Sequence, residues 1–376
     1  MIIIGGKVFT PFKMVSHTSI LVKDGKIADI SDVNNFQKKG EEIIDASDKY
    51  IVPGFIDPHT HIGVFPLESE NGDHATELSN PVTPQLNVID GLDPHDSAFN
   101  DALKGGVTTI GILPGSYMSF GASVERISIV PGQGAIMKTN GELIERYAFL
   151  KIAVGEHPKR FLSENKLSPT TRMGIISSLR ELFRRGKEYL VNSEGKYNPE
   201  LEAVLPVLRG EKCLRVHVHT SRDILSVINL AREFNLKIVF DHATEAYAVK
   251  EQIGDIPIVY GPPVFSKRGT ELKNLDIVNL GKMKGLMFSI TTDHPTIPIQ
   301  YLILLAGLSV SEGFSYEDAL SLITIKAARV LGIDKRVGSL EIGKDADIVI
   351  LDGEPFDPRT QVSYTIINGK ILYKGE

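Results

Sequence analysis

Between residues 53 and 337 the chain alternates short apolar runs with segments of helical spacing, and this alternation restricts the fold more than any other feature. Candidate strands are GGVTTIGILPG (105–115), YAFLKIAVGE (147–156), CLRVHVHT (213–220), LKIVFDHA (236–243), IPIVYGP (256–262) and LMFSITTDHP (286–295). Among the segments between them, DILSVINLAREFN (223–235) carries an apolar stripe at helical spacing. Strand and helix in alternation imply a parallel sheet. IVPGFIDPHTH supplies a first strand, and another is expected near RISIVPGQGAIMKT (126–139). The total of about eight is the number that closes a (β/α)8 barrel.

The two ends have a different texture. MIIIGGKVF, HTSILVKDGKIADIS and EEIIDAS at the front, and ADIVILDG and VSYTIINGKILYKG at the back, are strand-like runs with turns and no helical periodicity. Asp24-Gly25 and Asn368-Gly369 are hairpin signals. One small β-domain made from both termini, residues 1–52 plus 338–376, is therefore expected beside a barrel of residues 53–337. The segment 64–100, rich in Pro, Asp and Asn, is too long for an ordinary connection and is expected to cover the site as a lid.

Composition narrows the function. A length of 376 residues suits one large domain and a smaller one. Hydrophobic residues at 42% and charged residues at 23% are those of an ordinary soluble globular protein. A net charge of −6 with no long Lys/Arg block argues against a nucleic-acid surface. The single cysteine, Cys213, excludes an intramolecular disulfide framework. MIIIGGKVFT lacks the basic segment and long apolar core of a signal peptide. No apolar run reaches the ~18–20 residues that cross a bilayer. A cytoplasmic protein acting on a small molecule, without nucleic acid or membrane, fits these bounds; homo-oligomerisation stays open.

In a (β/α)8 barrel the site lies at the C-terminal ends of the strands. His59 and His61 of GFIDPHTHIG (54–63) follow the first strand, and His217 and His219 end the fifth. His242 ends the sixth, and Asp293 and His294 end the eighth. Residues i and i+2 of a strand point to the same side, so HTH and HVH can each aim two imidazoles at one point. A single histidine at a strand end is more often structural. Several imidazoles and a carboxylate buried together without partners would be costly. A divalent cation removes that cost, because neutral imidazole and carboxylate are its usual ligands.

IVPGFIDPHTHIG, GGVTT, HVHT, DHATE and TTDHP, in this order, resemble the amidohydrolase superfamily of metal-dependent hydrolases. GSLEIGKDADIVILDG (338–353), followed by IINGKILYKG, resembles the closing segment of the same proteins. The likeness spans nearly the whole chain and is greatest to the group that includes imidazolonepropionase and the Xaa-Pro dipeptidases. It implies an α/β fold, a TIM-like (β/α)8 barrel with a small β-sandwich formed from both chain termini. It implies one or two divalent ions, zinc first, held by His59 and His61, by His217 and His242, and by Asp293. A metal-bound water would attack a carbonyl or amidine carbon, its pKa lowered from ~16 towards ~7. Asp293 would accept its proton and pass it to the leaving nitrogen. His219 or His294 would stabilise the developing oxyanion.

Strand 4 offers two further candidates. Binuclear members of the superfamily bridge their metals with a glutamate or with a lysine carboxylated by carbon dioxide, since an ammonium has no lone pair. Lys151 lies in an otherwise apolar strand, where an unpaired ammonium is expensive. That favours a carboxylated Lys151, with a lysine–carboxylate pair inside the barrel as its alternative. Glu156, just past the strand, is the competing bridge or an ordinary loop residue. If neither bridges, the site holds one metal, as in imidazolonepropionase. Gln133 and Lys138, in a glycine-rich stretch read as a loop at the barrel mouth, are candidate substrate contacts. So are Arg222 and Glu245, which follow ligand strands. Hydrolysis of a small amide, dipeptide or cyclic amide is the leading activity. A deaminase, and a non-enzymatic assembly protein on the same fold, are the alternatives; the complete ligand set argues against the last.

Overall fold

The computed structural model describes residues 1–10, 13–32, 42–65, 75–77, 80–116, 128–155, 168–192, 196–264 and 280–375. The front of the chain gives β1 (Ile2–Thr10), β2 (Lys13–Lys23), β3 (Lys26–Asp32), β4 (Ile43–Asp45) and β5 (Tyr50–Pro53). The middle gives β6 (Phe55–Thr60), β7 (Val107–Ile112), β8 (Gly132–Lys138) and β9 (Leu143–Ala153). It continues with β10 (Cys213–Val218), β11 (Ile238–His242), β12 (Ile258–Tyr260) and β13 (Phe288–Ile290). The end adds β14 (Ile348–Leu351), β15 (Val362–Ile367) and β16 (Lys370–Lys374).

The terminal strands share one hydrogen-bonded sheet, β16-β15-β14-β5-β1-β2-β3, with β4 also on β1. The two ends of the chain meet where β14 pairs antiparallel with β5. Asp24-Gly25 (φ 50° and 75°) and Asn368-Gly369 (φ 49° and 71°) supply the left-handed pairs that two-residue hairpins demand. This strand-rich domain has its own apolar core, with Ile3, Val8, Ile20, Ile51, Ile348 and Ile366 all sealed from solvent.

The middle strands form a nearly closed barrel in the order β13-β12-β11-β10-β9-β8-β7-β6. Its seam is a single described bridge, Thr60 to His294, beside a hydrogen bond from His61 N–H to the His294 carbonyl at 2.9 Å. Helices α1 (Ala98–Lys104), α2 (Arg172–Val191), α3 (Pro199–Leu208), α4 (Ser221–Phe234) and α5 (Lys250–Ile253) occupy the connections. Strand β10 shows why the sequence folds this way. Leu214, Val216 and Val218 join the main apolar cluster with residues of α2, α3 and α4, while Arg215 and His217 alternate onto the other side. Among the described residues no helix is long and apolar enough to cross a membrane.

One feature differs from a uniformly parallel barrel. β8 runs antiparallel to both β7 and β9. The chain reverses at Asn140-Gly141, where Gly141 has φ 90° and Asn140 Oδ1 accepts the Glu142 N–H at 3.0 Å. The stretch read as a glycine-rich mouth loop is thus itself a strand. Gly134 is needed there, because a Cβ would stand 2.0 Å from Phe149 Cε2 and 2.6 Å from the Ile112 carbonyl. The reversal puts Lys138, the last residue of β8, at the end of the barrel away from the strand-end histidines.

Candidate metal centre

β6 is buried along its length and delivers His59 and His61 to the barrel mouth. His242 ends β11, and Asp293 follows β13. His59, His242 and Asp293 each offer a ligand atom, and these atoms lie within 4.8 Å of one another. His59 Nε2 is 3.3 Å and His61 Nε2 3.6 Å from Asp293 Oδ1. Ring centroids stand 5.0 Å apart for His59 and His242, and 4.6 Å apart for His217 and His242. These groups line a cavity of about 400 Å³ together with Lys151, Phe65, Ala75, Thr76, Pro114 and Thr296. His242 (φ 67°) and Asp293 (φ 53°) hold left-handed backbone that L-residues seldom adopt. Strain of that kind concentrates at functional sites.

Hydrogen bonds set the ring tautomers. His61 Nδ1 meets the Leu113 carbonyl at 2.8 Å, and His242 Nδ1 meets the Gly261 carbonyl at 2.7 Å. A carbonyl only accepts, so both Nδ1 atoms carry a proton, and in the neutral ring Nε2 is then the nitrogen left to ligate. Burial first, and the Lys151 charge second, push His59 down to about 3, so its ring stays neutral. With the rings neutral and protonated at Nδ1, their Nε2 lone pairs would face the Asp293 carboxylate. Electron-rich atoms so placed repel one another, and a cation between them turns repulsion into ligation. The donor set fits a divalent metal.

Charged groups pack directly beneath. Asp57 Oδ1 lies 3.2 Å from the His59 N–H and 2.6 Å from the Thr291 hydroxyl. Its Oδ2 accepts from the Thr292 N–H at 3.0 Å and from the Thr292 hydroxyl at 2.5 Å. Asp57 thus ties the end of β6 to the segment bearing Asp293, and burial raises its carboxyl to about 6. Asp241 Oδ2 accepts from Lys151 Nζ at 2.6 Å, and its Oδ1 accepts from Arg215 Nε at 3.0 Å. Burial would raise the Asp241 carboxyl, but Arg215 and then Lys151 overcome it and hold Asp241 well below the usual carboxylate range. Burial brings Lys151 down to about 8, against the pull of Asp241.

The candidates named from the sequence separate into two groups. His59, His61, His217, His242, Asp293 and Lys151 come together around the cavity. His219 stands behind, stacked on His242 at 20° with its Nδ1 2.7 Å from Thr244 Oγ1. His294 is buried, 3% exposed, and neither His219 nor His294 lines the cavity. Glu156 lies outside the described residues, as do residues 66–74 and 78–79 of the expected lid. Of the described part of that segment, 64–65, 75–77 and 80–100, Phe65, Ala75 and Thr76 line the cavity, and the Ala75 carbonyl accepts the Gly115 N–H at 2.8 Å.

The four candidate substrate contacts are not brought there. Gln133 donates Nε2 to the Pro84 carbonyl at 3.2 Å and fastens that segment to β8. Lys138 is fully buried at the far end of the barrel, 2.6 Å from Asp345 Oδ2 and 3.1 Å from Asp347 Oδ1. Arg222 is exposed on the first turn of α4. Glu245 Oε2 accepts from the Ser221 N–H at 2.7 Å and hydroxyl at 3.0 Å, which caps α4. Asp57, Arg215 and Asp241 escaped the sequence reading, although each is a charged residue in an apolar strand beside a candidate ligand.

The lowered imidazoles predict how metal-free protein responds to acid. Burial brings His294 to about 4, as it brings His59 to about 3, whereas an unfolded histidine titrates near 6.5. The unfolded chain therefore binds more protons below pH 6.5, and stability falls as pH falls through that value. Asp57, raised to about 6, and Asp347, also raised by burial, act in the opposite sense, but His59 and His294 are each displaced further from their unfolded values than Asp57 is. The urea midpoint of metal-free protein should be lower at pH 5 than at pH 7. An unchanged or higher midpoint at pH 5 would contradict this account.

Comparison with known proteins agrees with this architecture. Residues 207–372 match the model of the amidohydrolase family. The chain is 30% identical to amidohydrolase tasK of Hapsidospora irregularis, over 89% of this chain and 38% of that protein. It thus spans well under half of that relative's length. It is 24% identical to the imidazolonepropionase of Picrophilus torridus, over 95% of this chain and 93% of that protein. The crystal structure of an amidohydrolase from Thermotoga maritima MSB8 superposes with a TM-score of 0.92 at 33% identity, each chain covered in full.

Proposed function

This chain belongs to the amidohydrolase family, a family of hydrolases acting on carbon–nitrogen bonds, and on that premise we propose that it is a metal-dependent hydrolase of a small amide, dipeptide or cyclic amide. The observation that carries this reading is the convergence of His59 and His61 Nε2, at 3.3 and 3.6 Å, on the Asp293 carboxylate. His59, His61, His217, His242 and Asp293 would hold the ion, and neutral imidazole with carboxylate suits zinc. The ion would supply Lewis acidity and bring the pKa of a water in its coordination sphere from ~16 towards ~7.

The remaining work belongs to the chain itself. Asp293 Oδ2 is anchored by the Thr296 hydroxyl at 3.2 Å, and the Asp293 N–H by Thr291 Oγ1 at 3.0 Å. A carboxylate fixed in this way takes the water's proton and returns it to the leaving nitrogen. His219, stacked on His242, braces that ring. Phe65, Ala75 and Pro114 give the cavity an apolar wall that orients a small substrate.

We read the centre as holding one cation, because Lys151 Nζ already spends its charge on Asp241 at 2.6 Å. Carboxylation of Lys151, bridging two cations, is the second reading. It is favoured by the place of Lys151 in the cavity wall and by its lowered pKa of about 8, which frees more amine to capture carbon dioxide. Metal analysis separates the two. One equivalent of a transition metal is expected, zinc first, with activity lost on chelation and restored by zinc, manganese or cobalt. Two equivalents, falling to one in Lys151→Ala and rebuilt with the help of bicarbonate, would establish the bridge. Protein with no bound metal and no response to added metal would end the metal-dependent reading. A screen of dipeptides, acylated amino acids and cyclic amides then addresses substrate. An amino acid or ring-opened acid as product supports the amide hydrolase, and released ammonia a deaminase.

A further inference from the structure

The three histidines nearest Asp293 do not face the same kind of group at Nδ1. His61 and His242 rest their Nδ1 atoms on main-chain carbonyls, Leu113 and Gly261. His59 Nδ1 instead lies 3.1 Å from a side chain, Asp241 Oδ1. That carboxylate comes from β11, while His59 comes from β6. Arg215, from β10, reaches both: its Nε meets Asp241 Oδ1 at 3.0 Å, and its Nη1 and Nη2 each meet the Pro58 carbonyl at 3.1 Å. One guanidinium thus holds the carboxylate beside the His59 ring and the backbone just before His59. Its Cζ lies 4.9 Å from the Phe149 ring centroid, and both Arg215 and Asp241 are 0% exposed. Neither group has room to swing away.

We propose that Asp241, gripped by Arg215, is a positioning residue of the centre, fixing the His59 ring with Nδ1–H towards itself and Nε2 towards Asp293 and the cation. This inference rests on the metal-centre reading above. A neutral imidazole ligates through whichever nitrogen lacks the proton, so a fixed acceptor at Nδ1 selects Nε2 as the ligand. A planar fork is required of Arg215, because its three nitrogens donate four hydrogen bonds at fixed directions to two acceptors. Lysine keeps the charge and loses that geometry. Lys151 occupies the other carboxylate oxygen of Asp241 and completes its set of partners.

The test uses full-length protein, cobalt(II) as probe and the visible absorption of the bound ion as readout. Arg215→Lys should bind cobalt ~10–100-fold more weakly, the usual cost of losing such support. Its absorption bands should also shift, with far-ultraviolet circular dichroism unchanged. Asp345→Asn, in the charged cluster at the far end of the barrel, should lower stability yet keep wild-type cobalt affinity and spectrum. In the zinc-loaded wild type, nitrogen NMR of labelled histidine should show His59 protonated at Nδ1, a measurement that needs no variant. Wild-type affinity and spectrum in folded Arg215→Lys, or a His59 proton at Nε2, would overturn the proposal. So would equal weakening of cobalt binding in Asp345→Asn, which would reduce the effect to general stability. Failure of the wild type to bind cobalt would instead sink the metal-centre reading itself.

Discussion

Asp293→Asn should retain the bound metal and lower turnover by ~10²–10⁴, the range for removal of a general base. The substitution keeps the size of the side chain and one carbonyl oxygen for ligation, and it removes the proton acceptor. The backbone tolerates it, because position 293 is left-handed at φ 53° and asparagine adopts that region more readily than most residues. The Thr291 hydroxyl would still receive the N–H of residue 293. Steady-state turnover and metal content, measured on the same preparation, check the two halves of the expectation. Near-normal turnover would assign the proton to another group. Loss of the metal would make Asp293 first a ligand and only then a base.

Much of this site was legible because a barrel converts strand order into position. Histidines at the ends of the first, fifth and sixth strands, and an aspartate after the eighth, must meet at one mouth whatever lies between them. The direction of β8 was not legible in the same way. Apolar patterning marks a strand without saying which way it runs, so the run 126–139 reads as one more parallel element. The signal was nevertheless present in Asn140-Gly141, a hairpin dipeptide like those at Asp24-Gly25 and Asn368-Gly369.

Arg215 follows from the i, i+2 rule that links His217 to His219, one step further back along β10. Asp241 is harder. Strict alternation sends neighbours 241 and 242 to opposite faces, yet both serve the centre. The left-handed residues His242 and Ala243 (φ 67° and 43°) break the alternation at the end of β11, and no periodicity reports that break. The state of Lys151 stayed open for a related reason: its partner Asp241 lies 90 positions away in the chain.

Lys138→Met should destabilise the protein by about 3 kcal/mol and leave its metal content unchanged. The sequence placed this lysine among substrate contacts; the reversed strand buries it instead between the barrel and the terminal domain. Lys138 Nζ lies 2.6 Å from Asp345 Oδ2 and 3.1 Å from Asp347 Oδ1, with Asn368 Oδ1 in close contact as well. Methionine fills a similar volume, so the loss is electrostatic rather than a cavity. Removing one partner of a buried pair typically costs ~3–5 kcal/mol, because the other charge is stranded. The lower end applies here. Asp345 would keep Arg336, whose Nε is 2.6 Å away, along with Lys26, and Asp347 would keep the Asn368 N–H at 2.9 Å. Asp347, already raised by burial, would move further up and meet part of the loss by taking a proton. Urea unfolding with metal analysis on the same samples measures both quantities. A loss of only ~1 kcal/mol, as an exposed pair would give, together with a fall in turnover, would return Lys138 to the substrate site.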